Sequence, residues 1–289
     1  GTLESADLAA LTTAQIRAID TRGIVALDSA DLRAFGSLQV AALTTEQVRA
    51  IESADLVGLT TEGIAALGSA QVGAMSSVQL AALGSDQLQA LTTAQVRALG
   101  SVQLASLSSD DLNTLTTAQF AALSTTQIDA LTSAQVGTLE SADLAALTSA
   151  QVRALSTRDI SALDSADIAV LSSTQAMALT SDQVRAIGSD DLPALSTDAL
   201  SHLGTAQIAG FTTTQLGALG SDQLQSLTTA QVRGLTSTQL ASLSSDDLNM
   251  LTTAQFAAMT TAQIAALTSA QVGTLESADL AALTTAQIR

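Results

Sequence analysis

A period of eight residues runs through this chain without a slip. Counted from Ser5, each octad reads Ser or Thr, variable, Gln or Asp, aliphatic, variable, small, Leu, polar. The first slot is Ser or Thr at all 36 occurrences. The seventh is apolar at all 36, counting Leu3, and Leu at nearly every one. The fourth is aliphatic or Phe in 35 of 36, with Ala176 (beside Met177) as the exception. The third is Gln or Asp in 33 of 36, failing at Gly23, Gly63 and Ala199. Such strict repetition means a stack of equivalent units whose core is shared between neighbours. With no insertion anywhere, the array offers no long loop on which to mount a conventional active site.

One continuous helix does not fit this period. Eight residues at 100° each leave an 80° drift per octad, so the Leu stripe would spiral around the axis. A β-solenoid does not fit either, because slots four and seven would point to opposite faces. In a short helix, however, they stand at i and i+3 and form one apolar edge. Two readings of the helix start remain open. The slot-one hydroxyl can be the N-cap, which puts the seven slot-eight glycines (Gly36 and Gly100 among them) at the C′ position. Alternatively slot eight is the N-cap and the slot-three Gln closes a capping box. Charge placement supports a helix independently. Of 27 acids, 26 fall in slots eight, two and three, with Asp129 the exception. Eight of ten Arg, Arg17 and Arg289 included, fall in slot five. The helix macrodipole favours that segregation. Pro193, in slot five, is expected to cost its rung the first helical bond. The slot-three Gln or Asp, at the edge of the core, is expected to bond a neighbouring rung's backbone as a repeated polar ladder. The small slot six lets helices approach. The fold expected is therefore all-α: a rod-like solenoid of short helices, about six residues each, one per octapeptide.

A longer period lies above the octad. Residues 1–17 recur identically at 273–289 and nearly so at 137–153. The offset is 136 residues, or 17 octads. This divides the chain into a super-repeat at 1–136, a second at 137–272 and the start of a third at 273–289, forming one continuous solenoid. It also reads as a slice of a longer array, because it ends on the same seventeen residues with which it begins.

Composition narrows the function. There is no Cys, Trp or Tyr, one His, and a net charge of -17. Disulfides, thiol chemistry, Cys-based zinc sites and an aromatic-lined cofactor pocket are excluded or nearly so. The charge repels nucleic acid and anionic membranes. The mean hydropathy of +0.36 is high. Yet no uninterrupted apolar run approaches the ~20 residues of a spanning helix. Absence of Cys is compatible with an extracellular location.

Candidate sites are few. His202 has no second His or Cys to share a metal, and reads as packed or half-exposed. The pairs Asp110 and Asp111, Asp190 and Asp191, and Asp246 and Asp247 follow Ser at the helix start. They are weak candidates for calcium, with helix capping as the plainer role. The slot-five Arg stripe is expected to pair with acids between rungs or chains. Phe35, Phe120, Phe211 and Phe256 occupy core slots. No base stands ready to activate a Ser or Thr. No catalytic residue, cofactor site or small-molecule substrate is expected, and the chain is not expected to be an enzyme.

The runs LTTAQVRAL (91–99) and LTSAQVGTL (131–139) resemble octad arrays in giant, low-complexity proteobacterial proteins. That resemblance covers the whole chain. It implies a secreted or surface protein, some of which carry adhesin or calcium-toxin-like labels, and it brings no catalytic residues. The expected function is structural: an extracellular or cell-surface rod or filament whose partner is itself. The alternative is an adhesin shaft, binding solenoid or spacer, rigidified by calcium.

Overall fold

The computed structural model describes residues 4–288, so Leu3 and Arg289, assigned above to slots seven and five, lie outside the described residues. Among those residues every octad forms one short helix over slots one to six or part of that span. Most are α-helical and five or six residues long, about 9 Å at 1.5 Å per residue. Two rungs, Ser53–Gly58 and Leu192–Ala194, are 3-10 instead. The chain groups into two compact units, Gly1–Ala146 and Leu147–Arg289.

The helix Thr93–Ala98 shows how an octad folds. Thr92, in slot eight, is the extended N-cap at φ -69°, ψ 156°. Its hydroxyl accepts the Gln95 N–H at 3.3 Å, and Gln95 Oε1 accepts the Thr92 N–H at 2.6 Å. The slot-eight carbonyl receives the first helical bond, from Val96 N–H at 2.9 Å. Slot eight is thus the cap, with slot one as the first helical residue, and the capping-box reading is the correct one of the two. The helix ends at Leu99, whose N–H returns to Val96 O at 3.2 Å. Leu99 itself is extended, at φ -62°, ψ 136°. Two extended residues, slots seven and eight, therefore turn the chain from one helix to the next.

That link corrects the glycine reading. No described residue, glycine or otherwise, has positive φ. Gly36, Gly68, Gly84, Gly100, Gly204 and Gly220 are N-caps with φ between -69° and -75°. A left-handed C′ residue is not needed where the link is extended. Glycine forgoes only the hydroxyl half of the box: Gly100 N–H still donates to Gln103 Oε1 at 2.6 Å.

Slots four and seven make the core as expected. Val96 and Leu104 are wholly buried, and Leu99 and Leu107 nearly so. The four Phe are buried in the same slots. Ala176 holds the register: it is buried while Met177 points out. Within each unit, a helix packs on the one three octads away. Thr93–Ala98 lies against Ser69–Ala74 and Thr117–Ala122. Thr229–Gly234 likewise lies against Thr205–Ala209 and Thr253–Ala258. A six-residue helix is unstable alone, so this stacking supplies its stability.

Two rungs depart for local reasons. Pro193 lacks an N–H, so the slot-five bond is missing and the rung tightens to 3-10. The first helical bond survives, however, from Leu192 N–H to Gly188 O at 2.9 Å, so Pro193 removes the second bond rather than the first. In the other rung, Gly58 lies so close to the Ser29 carbonyl that a Cβ there would overlap it. Glycine is required by that approach.

Candidate functional site

The repeating polar contacts between rungs are the most developed chemistry in this chain. Slot-three Gln is the centre of them. Its Oε1 takes the N–H of its own cap, and its Nε2 reaches the rung four octads earlier. Gln95 Nε2 donates to Ile64 O and Leu67 O, both at 2.7 Å. Gln231 Nε2 does the same to Leu200 O at 2.8 Å and Leu203 O at 2.7 Å. The slot-seven carbonyl sits in the extended link with no helical partner, so the amide satisfies an otherwise orphaned acceptor. The expected ladder is present. It fixes the step between successive turns, because helices pack three octads apart while the amides reach four. A turn therefore closes between three and four octads within each unit.

The slot-five cations act in the other direction. Arg17, Arg49, Arg97 and Arg185 donate from Nε to carbonyls 25 residues ahead: Ala42, Ala74, Ala122 and Gly210, at 2.9–3.1 Å. These arginines bond carbonyl oxygens rather than the acids expected. The physical reason is position: slot five faces the last turn of the helix three octads on, where free carbonyls and the negative end of the dipole lie. Asn113 and Asn249, also in slot five, reach Thr138 O at 2.6 Å and Thr274 O at 2.9 Å in the same manner.

Slot two points outward. Leu38, Val78 and Val102 are 77%, 68% and 76% exposed. At the matching positions of the second super-repeat stand Thr174, Thr214 and Thr238. Slot five, the other variable slot, faces outward as well: Val57 and Met177 are 51% and 55% exposed. Slot two mixes Ala, Leu, Val, Thr, Asp, Glu and Arg. Acids in slot two form two equivalent rows, Glu62, Asp86 and Asp110, then Asp198, Asp222 and Asp246. The Glu62 carboxyl is held below the usual range by its own backbone N–H and by the Thr60 and Thr61 hydroxyls.

The calcium candidates stay apart. Asp111 and Asp247 each accept the hydroxyl of Ser108 or Ser244 at 2.6 Å, within their own caps. Asp191 Oδ1 accepts Ser165 Oγ at 2.7 Å. Asp110, Asp190 and Asp246 are exposed. Among the described residues no group of three or more His, Asp or Glu is close enough to hold a metal. His202 is exposed, with Nδ1 2.7 Å from Asp198 O and 3.5 Å from Asp198 Oδ1.

Where Asp replaces the ladder Gln, the carboxylate can serve the cap but has no N–H for the earlier rung. Asp143, Asp159, Asp167 and Asp279 are all buried in this slot. Burial, with help from Glu140, pushes the Asp143 carboxyl up to about 6.

The model of the ALTTAQ repeat matches residues 1–30, 24–51, 48–85, 80–117, 105–140, 136–173, 184–221, 214–245 and 242–277. The chain belongs to the ALTTAQ repeat family. Each letter of that ALTTAQ unit, as it stands at residues 90–95, now has a physical role. Ala90 is the small slot six, Leu91 the core link and Thr92 the cap. Thr93 and Ala94 open the helix, and Gln95 carries the ladder. A search of curated proteins gave no match. No described helix is long and apolar enough to cross a membrane.

Proposed function

We propose that this ALTTAQ array is a structural protein: an extracellular or cell-surface rod or filament that associates with copies of itself. The observation that carries this reading is the rung-to-rung bonding, which recurs within each unit, from Gln39 to Gln135 in the first and from Gln175 to Gln287 in the second. Its polar side chains serve neighbouring rungs instead of converging on a pocket. The secreted and surface proteins whose octad arrays it resembles supply the location. An enzymatic role is not part of this reading. Electron microscopy of the purified chain tests it: uniform fibres that lengthen with concentration are expected, and monodisperse single particles at high concentration would overturn it.

A second reading, a binding shaft, is favoured by one observation: the exposed Leu38, Val78 and Val102 have polar counterparts in the second super-repeat. Such a shaft would engage a partner through the first super-repeat only. Replacing these three by Thr would then abolish partner capture without changing fibre formation.

A further inference from the structure

Exposed apolar side chains gather on one column of helices in the first unit. The helix Ser77–Ala81 packs on Ser53–Gly58 and on Ser101–Ala105. Val57, Val78 and Val102, one from each rung, are all more than half exposed. Ser77, Val78, Ala81, Ala82 and Ser106 line an open groove of about 380 Å³ between two of these rungs. Residues 77–82 and 101–106 carry no charged side chain. Gathered on one face and rimmed by polar residues, such side chains point to an interaction surface.

The next octad at each level carries an acid. Glu62, Asp86 and Asp110 stand eight residues beyond Ala54, Val78 and Val102, each on the second residue of its helix, and all three are exposed. They border the side on which the valine rungs end. No cation stands between residues 50 and 96 or between 98 and 152. Among the described residues none pairs with these three carboxylates. Arg49 and Arg97, in the octads before two of the valine rungs, donate from Nε to carbonyls of the array. The face therefore has an apolar middle and one uncompensated acidic edge. The second super-repeat separates these two features. Its acids recur at Asp198, Asp222 and Asp246, while Pro193, Thr214 and Thr238 stand in place of the valines.

We infer that the valine face docks an amphipathic segment of a partner protein, with Leu- or Val-sized side chains on the groove and Lys or Arg along the Glu62–Asp86–Asp110 edge. This deepens the binding-shaft reading above and rests on it. An amphipathic helix laid in an apolar groove is a recurring mode of recognition, and opposite charges at its rim fix the orientation. A second copy of this chain does not fit the face, because it has no Lys and a net charge of -17, which sets acid against acid.

Fluorescence anisotropy on the whole 289-residue chain tests this, with three labelled synthetic helices of about 18 residues, or five turns. The first has a Leu face and Lys edges, the second the same Leu face and Glu edges, the third Lys edges and a Ser face. Only the first is expected to bind. Val57→Thr, Val78→Thr and Val102→Thr together should weaken it about tenfold or more, and so should Glu62→Gln, Asp86→Asn and Asp110→Asn together. Asp198→Asn, Asp222→Asn and Asp246→Asn together should leave it unchanged, because that edge borders no valines. Far-UV circular dichroism checks that each variant keeps its helix content. Equal binding of the Ser-faced helix, or an equal loss in the distal variant, would overturn the site and reduce the attraction to net charge. Binding of the Glu-edged helix, lost in the valine variant, would overturn the basic partner and leave the shaft reading standing. A chain that binds none of the three would overturn this docking site, while the partner capture described above tests the shaft reading separately.

Discussion

Gln95 Nε2 stands 2.7 Å from the carbonyl oxygen of Leu67, a residue 28 positions earlier in the chain. The same amide's oxygen holds the Thr92 N–H that starts its own helix. One side chain thus starts a rung and fastens it to the previous turn. Gln95→Glu keeps the first task and removes the second, setting a carboxylate against two carbonyls. A loss of about 2–3 kcal/mol is expected, because buried acceptors lose their donor. Gln95→Met, which removes both tasks without adding a charge, should cost less. Thermal melts of the two variants check the order.

Asp143 is the inverse case. Its raised carboxyl binds a proton more readily folded than unfolded. That contribution is present below pH ~4 and is lost as pH rises through about 6. Asp143→Gln should therefore raise the melting temperature at pH 7.5 more than at pH 4. In the ladder register the new amide faces the Leu112 and Leu115 carbonyls. A gain on the order of 2 kcal/mol at neutral pH is expected from the shift removed. Melts across pH 4–8 would show the wild-type slope flattened in the variant. An equal gain at both ends would refute this account.

Gly58→Ala drives a Cβ into the Ser29 carbonyl and forces two stacked rungs apart. The expected cost is about 1–3 kcal/mol, as for overpacking elsewhere. Gly217→Ala, where a Cβ meets nothing within 4 Å, is the control. It should stabilise by roughly 0.5–1 kcal/mol, the helix-propensity gain.

Pro193→Ala restores the N–H of slot five. The rung should then close an α-helical bond to Ser189 and lengthen from 3-10 to α. Amide exchange is the measure: protection at position 194 should rise, with a gain of about 1 kcal/mol locally. Unchanged protection would mean that the neighbouring rungs, not the proline, hold the 3-10 form.

Much of this fold was legible because a strict octad leaves few alternatives. Leu at slot seven and aliphatics at slot four could meet on one edge only in a short helix, and all the Phe fell where that edge predicts. The helix start was ambiguous for a chemical reason. Thr12 and Thr13 can each cap, and only the extended backbone at Thr12 decides between them. The arginines misled because sequence records charge but not which free carbonyls a stacked neighbour presents. Ala42 O, 3.1 Å from Arg17 Nε, belongs to a helix end 25 residues away.

The ladder amides bond backbone carbonyls, and every rung has those whatever its side chains. A duplicated or deleted octad therefore meets partners chemically identical to the ones it left. Whole octads can therefore be exchanged without breaking the ladder, whereas a side-chain-specific approach such as that of Gly58 to Ser29 is tied to its own register. The 136-residue super-repeat is a whole number of octads without being a whole multiple of three or four octads. For the ladder, then, the number of octads is free to vary, because each added unit brings both the amide that donates and the carbonyls that accept.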